Sequence, residues 1–131
     1  MKALLIDSKN GQVSEVELDD QKPHLEQFYE LLECRLIDIA YRNIGGRFFD
    51  IIIDDEGLFA DDPKVSALNS KREPVLVGNL LFCNHDGEGN ETSLSEEDIA
   101  HLMDHVAVAR QQMPDGSEGE PLVVMMDVEY E

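Results

Sequence analysis

The 131-residue chain carries 29 acidic and 10 basic side chains, a formal net charge of −19 at pH 7. A surface of this sign repels polyanions, which excludes direct nucleic-acid binding through phosphate contacts and docking on an anionic membrane face. With 42% hydrophobic residues it has the composition of one folded domain, residues 1–131, with a core of its own.

Ala3 to Asp7 and Val13 to Leu18 flank Ser8-Lys9-Asn10-Gly11, an Asn-Gly turn signal that predicts a β-hairpin. In the second strand Val16 and Leu18 alternate with Glu15 and Glu17, which marks one face as solvated. Leu25, Phe28, Tyr29 and Leu32 then recur at helical spacing behind Asp19, Asp20 and Pro23, predicting an amphipathic helix that stops near Cys34. Leu36 to Tyr41 and Phe48 to Asp54 read as a second hairpin around Asn43-Ile44-Gly45-Gly46, its second strand interior to a sheet.

Ala60 to Lys71 is polar and reads as a connection with one helical turn around Lys64 to Leu68. Pro74 to Cys83 reads as one buried strand with Gly78 inside it as a bulge or close contact, followed by a loop over Asn84 to Asn90. Ser95 is an N-cap with Glu96, Glu97 and Asp98 in the first turn and Leu94 placed to staple onto Ile99. Ile99, Leu102, Met103, Val106 and Arg110 carry that helix to Met113-Pro114. After the acidic loop Asp115 to Glu120, Leu122 to Tyr130 forms a last strand with Val124, Met126, Val128 and Tyr130 on one side. The order β-β-α-β-β-β-α-β predicts an α+β fold, a single mostly antiparallel sheet of five to six strands with two helices packed on it.

Three stretches carry a family resemblance: Ile52-Ile53-Asp54-Asp55-Glu56-Gly57-Leu58, Val77-Gly78-Asn79-Leu80-Leu81-Phe82 and Thr92-Ser93-Leu94-Ser95-Glu96-Glu97-Asp98-Ile99. Over roughly Lys2 to Asp104 the chain resembles domain of unknown function family 3846, small domains of bacteria, phages and mobile elements. The resemblance implies a shared fold and a link to phage or mobile-element gene sets, and residues 105–131 lie beyond it.

Cys34 and Cys83 fit no metal or redox spacing and read as reduced thiols. The apolar start at Met1 to Ile6 reaches Asp7 too soon for a signal peptide, so a cytoplasmic location is expected. His101 and His105, four apart on the second helix, are the spacing of a two-imidazole metal site, but Leu102 replaces the glutamate of H-E-x-x-H. Both are expected at the surface, facing away from the apolar stripe, with Asp98 or Asp104 the available third ligands. Asp86, Glu88, Asn90, Thr92 and Glu97 mimic positions 1, 3, 5, 7 and 12 of an EF-hand loop, yet Glu91 stands where the turn needs glycine. Asp54, Asp55 and Glu56 with Asp61 and Asp62 read as a polar turn.

Cys83 and His85, with Asp86 beside them, have the composition of an activated thiol in a setting too negative for a thiolate. Gly45-Gly46-Arg47 lacks the rest of a phosphate loop. With no catalytic constellation and no cofactor motif, the expectation is a non-enzymatic accessory protein of phage or mobile-element type that binds a basic or DNA-binding protein.

The candidate partner-binding acids are Glu91, Glu96, Glu97, Asp98, Asp104, Asp115, Glu118 and Glu120, because Glu73 to Glu131 holds fourteen acids against Arg110 alone. The specific alternative is a DNA mimic that blocks a DNA-binding protein or restriction system. A globule of this size exposes roughly 7,000 Å² by surface scaling, about 370 Å² per net charge, against roughly 110 Å² per charge on B-DNA. Imitation therefore requires about threefold crowding of acids onto one face. A divalent-metal protein or enzyme, with His85, His101 or His105 converging in a cleft, is the third class.

Overall fold

The computed structural model describes residues 1–57 and 64–131, with only the backbone described at 110–112, 118 and 120. Strands β1 (Lys2–Asp7) and β2 (Gln12–Glu17) form the first hairpin, and α1 spans His24–Leu32. Strands β3 (Ile37–Ile44) and β4 (Arg47–Asp54) form the second hairpin, joined by Gly45 and Gly46 at φ +59° and +96°. Two positive φ angles in a two-residue loop match the right-handed strand twist, and glycine adopts them without strain. Then come β5 (Val65–Leu68), β6 (Pro74–Val77), β7 (Leu80–His85), β8 (Glu91–Thr92), α2 (Glu96–Asp104), β9 (Val106–Gln112), β10 (Glu118–Met125) and β11 (Val128–Glu129).

The class is α+β, with two helices and a large antiparallel sheet ordered β11-β3-β4-β7-β1-β2, onto which β8 adds at β7. A second, four-stranded sheet, β6-β5-β10-β9, joins the expected one and contains the single parallel pairing among described strands, β5 with β10. Phe49, Ile51, Leu80, Phe82, Leu4 and Ile6 on one face of the large sheet share a core with Ala67, Val123 and Met125 of the small sheet and with Leu94, Ile99 and Leu102 around α2. On the opposite face Ile52, Leu81, Cys83 and Ala3 pack under Phe28 and Leu32 of α1. Strands β4 and β7 are covered on both faces over most of their length, which is why they read as largely apolar runs.

Several boundaries differ from the sequence reading. Val65–Leu68 is strand β5 and not a helical turn. Pro74 to Cys83 is two strands, because Gly78 at φ +78° turns the chain from the small sheet into the large one. The second helix ends at Asp104, where His105 takes φ −103° and ψ 1°, and Val106-Ala107-Val108 leave it as β9. β-branched residues favour that strand, and Val106 and Arg110, four apart, fit alternation as well as helical spacing. The last strand breaks at Asp127, which is left-handed at φ +61°, and Val123, Val124 and Met125 are all buried while Tyr130 is 74% exposed. Single-sided alternation from 124 to 130 therefore does not occur.

The last strand also starts earlier than read, since β10 takes in Glu118 to Glu120 of the expected loop, whereas the following local readings are realised. Ser95 Oγ accepts the Asp98 N–H while Asp98 Oδ2 accepts the Ser95 N–H, each at 3.0 Å, completing a capping box. Leu94 and Ile99 are buried together in the core, as a hydrophobic staple requires. Glu33 closes α1 in the left-handed region, at φ +53°. No helix among the described residues is long and apolar enough to cross a membrane.

Candidate functional site

Helix α1 covers only part of its face of the large sheet. Alternation along β4 places Phe48 and Asp50 on the same side as Ile52, and pairing sets Tyr41 opposite Asp50 and Ile39 opposite Ile52. Ile39, Tyr41 and Phe48 are 45%, 49% and 42% exposed, so this corner of the sheet is an open apolar surface. The Tyr41 and Phe48 rings stack at 5.0 Å between centroids, and the His85 ring meets Tyr41 edge-on at 5.2 Å.

Asp50 is buried beneath these rings, and a carboxylate taken from water needs a compensating partner. His85 provides it, Nδ1 standing 2.7 Å from Asp50 Oδ2. Strand pairing sets Cys83 opposite Asp50 and Glu91 opposite His85, so acidic groups border the imidazole from two strands. Burial first, then the Asp50 and Glu91 charges, push the Cys83 thiol up to about 12. A thiol so raised and enclosed is a poor nucleophile at neutral pH. The partner of His85 is Asp50, not the Asp86 suggested by sequence proximity.

His101 and His105 do not face away from the fold. His101 Nε2 lies 2.6 Å from the Ile44 carbonyl oxygen, His105 Nδ1 lies 2.9 Å from Asp127 Oδ2, and the two rings are 4.9 Å apart. Both brace the β3–β4 turn, so closely that a Cβ on Gly45 would come within 2.2 Å of His105 Nε2. Each imidazole already has one nitrogen committed. They belong to α2, on the other side of the sheet from His85, so the three imidazoles do not converge in one cleft.

The bonds of Asp98 go to groups other than the histidines. Its carboxylate takes the Ser95 N–H, the Asn84 side-chain amide at 2.9 Å and Arg47 at 3.2 Å. Burial works against its charge, but these bonds outweigh it and hold the acid below its ordinary value. Asp104 is exposed at the end of α2.

Asp86 Oδ1 accepts the N–H groups of Glu88 at 2.9 Å and Asn90 at 3.0 Å, which lowers its pKa and closes the loop on itself. Glu88 is exposed on the same loop. Among the described residues no three His, Cys, Asp or Glu side chains gather as a metal site. Asp54 accepts the Glu56 N–H, Glu56 pairs with Arg35 at 2.9 Å, and Asp61 and Asp62 lie outside the described residues.

The remaining candidate acids are divided. Glu96 pairs with Lys2 at 2.9 Å and Glu97 reaches Arg47 at 4.0 Å, while Glu91 is half-buried on β8. Asp115 lies in the β9–β10 turn, held by the Ser117 hydroxyl and N–H, about 23 Å from α2 along the seven residues of β9. Glu118 and Glu120 lie on β10, with side chains outside the described residues. The surface measures 7890 Å², near 400 Å² per net charge and therefore far sparser than the roughly 110 Å² of B-DNA.

Sequence reasoning missed Tyr41, Phe48 and Asp50 as members of a site. The available signal was Asp50 itself, a charged residue inside the apolar run Phe48–Ile53.

A family model described as "Domain of unknown function (DUF3846)" matches residues 1–107, and the chain belongs to that family. Ile39, Tyr41, Phe48, Asp50 and His85 all fall within the matched residues, as do His101 and His105. No curated protein and no solved structure matches the chain.

Proposed function

We propose that the protein is a non-enzymatic binding protein of phage or mobile-element type, working in the cytoplasm, that docks a basic protein on the Ile39–Tyr41–Phe48 corner of its large sheet. One observation carries this reading: two stacked aromatic rings stand half-exposed over a buried Asp50–His85 pair on a part of the sheet that α1 leaves uncovered. Aromatic side chains at the centre of a patch, ringed by polar groups, have the anatomy of a binding hot spot. Glu91 beside His85 and the acidic Asp86–Asn90 loop next to it favour a partner rich in Lys and Arg.

The test is affinity capture from bacterial lysate, comparing the native protein with the Tyr41→Ala/Phe48→Ala variant at low and high salt. The expected result is a basic protein held at low ionic strength, released as salt rises, and lost with the variant. A captured DNA-binding protein that the variant holds equally well would move the reading to carboxylate imitation of DNA. Loss of nothing but background on mutation would remove the aromatic corner as the docking site.

A further inference from the structure

Strand β3 has an unusual outer edge. Its hairpin with β4 is closed by the Ile44–Arg47 pair around a two-residue loop, which directs the backbone groups of even-numbered residues toward β4 and those of odd-numbered residues outward. Among the described residues, β11 pairs with this edge only at Asn43 and Ile44. Two of the outward groups at 39 and 41 are met instead by neighbouring side chains. Asp38 Oδ1 accepts the Ile39 N–H at 2.8 Å, and Arg42 Nη1 donates to the Tyr41 carbonyl at 2.9 Å.

The sequence Asp38-Ile39-Ala40-Tyr41-Arg42 is symmetric in kind about Ala40: acid, large apolar, small, large apolar, base. Turned on itself antiparallel with Ala40 on the two-fold axis, it sets Asp38 against the partner's Arg42 and Ile39 against the partner's Tyr41. Residues 39 and 41 then form the bonded pair, which takes over the Ile39 N–H and Tyr41 carbonyl that Asp38 and Arg42 now satisfy and adds the Tyr41 N–H and Ile39 carbonyl. Each displaced side chain meets an opposite charge across the axis. An isologous interface needs a self-complementary patch, and this strand supplies charge, apolar and backbone complementarity in one register.

We propose that the protein forms a two-fold symmetric dimer through the outer edge of β3, with Asp38 of each copy opposite Arg42 of the other. The large sheets become continuous across the axis, and the Ile39–Tyr41–Phe48 corners of the two copies meet as one longer apolar surface. Tyr130 follows β11 along the same edge, its ring 4.1 Å from the Arg42 guanidinium. Its 74% exposure makes it readily displaced, and Tyr130 and Glu131 move aside when the second copy docks. A five-residue pairing between two copies of charge −19 gives a weak dimer that tightens as salt screens the mutual repulsion. Docking of a basic partner weakens with salt, so the two associations are told apart by the sign of their salt dependence.

Sedimentation equilibrium over a wide concentration range, at low and moderate salt, tests the dimer. Asp38→Arg and Arg42→Asp are each expected to raise the dimer dissociation constant about tenfold, since two cross-axis pairs turn repulsive, and the double swap to restore it. Asp38→Arg lowers the overall negative charge, so an association governed by net charge alone would tighten in that variant and overturn the proposal. Ile39→Pro removes one outward N–H, which no β4 bond needs, and is expected to abolish the dimer with native circular dichroism retained. Removal of Tyr130 and Glu131 is expected to tighten it. A species that stays monomeric throughout, with and without those two residues, refutes the interface whether or not a basic partner is captured.

Discussion

His85 Nδ1 stands 2.7 Å from Oδ2 of Asp50, a carboxylate that is only 6% exposed and sits between Tyr41 and Cys83 on neighbouring strands. Removing the imidazole leaves a buried carboxylate without its partner, which costs more than the bond itself contributed. His85→Ala is therefore expected to destabilise the fold by about 1–3 kcal/mol in urea unfolding, whereas Asp50→Asn, which keeps an acceptor for Nδ1–H, costs less than about 1 kcal/mol. Equal losses from the two variants would deny that the carboxylate's isolation is what matters.

Tyr41 and Phe48 stack diagonally across the β3–β4 pair while remaining half-exposed. Each single alanine variant is expected to cost about 1 kcal/mol or less, and a double-mutant cycle to give a coupling of about 0.5–1 kcal/mol. Loss of partner capture with so little loss of stability separates a docking role from a structural one. Thermal unfolding of the four proteins, run beside the capture assay, supplies both numbers.

The β3–β4 turn depends on the histidine pair of α2. Gly45 has φ +59°, and a Cβ there would fall 2.2 Å from His105 Nε2 and 2.5 Å from its Cε1, so the ring would have to move. Gly45→Ala is expected to cost about 2 kcal/mol or more, combining left-handed strain with displacement of the ring. In the His105→Ala background the same substitution should cost only the backbone part, about 1 kcal/mol. Chemical denaturation of the four combinations checks this.

Most of this architecture was legible because short-range chemistry decides it. The Asn10-Gly11 and Gly45-Gly46 turns, the Ser95–Asp98 capping box and the twice-covered strand β4 are each fixed by a few neighbouring residues. Where two periodicities fit the same residues, long-range pairing chose. Val106 and Arg110 satisfied a helix as well as a strand, and their pairing with Met125 and Pro121 of β10 settled the matter. Gly78 shows the same limit, since only the presence of a second sheet turns a bulge into a corner. The site was less legible than the fold. The Asp50–His85 pair joins residues 35 apart, and His101 with His105 looked like surface until the β3–β4 turn was folded against them.

Asp98 ties α2 to the sheet through Ser95, Asn84 and Arg47, and its pKa is lowered from the ordinary 3.8. A carboxyl with a depressed folded-state pKa contributes stability that is present above its unfolded value and is lost as pH falls through the folded one. Asp98→Asn lacks that contribution at every pH. The native protein is thus expected to be the more stable at neutral pH, with the two stabilities converging below pH 3.8. Urea titrations from pH 7 downward measure the gap, and a constant gap would assign the effect to hydrogen-bond geometry instead of charge.

Cys83 is fully buried beneath α1, and its thiol is pushed up to about 12 by burial and by the charges of Asp50 and Glu91. Alkylation requires a thiolate and an open approach, and this residue has neither at pH 8. Iodoacetamide is expected to leave Cys83 unmodified in the folded protein and to label it at the rate of a free thiol once denaturant opens the core. Cys34, on the rim beside Asp54 and Glu56, is only partly buried, and its thiol is raised first by burial and then by those charges, so it labels slowly in the native state. Mass spectrometry of the two labelled peptides distinguishes the sites. Asp50→Asn removes one of the two charges facing Cys83 without opening the core, so native labelling should stay negligible there too. Rapid native modification of Cys83 in that variant would show that charge, and not enclosure under α1, is what silences the thiol.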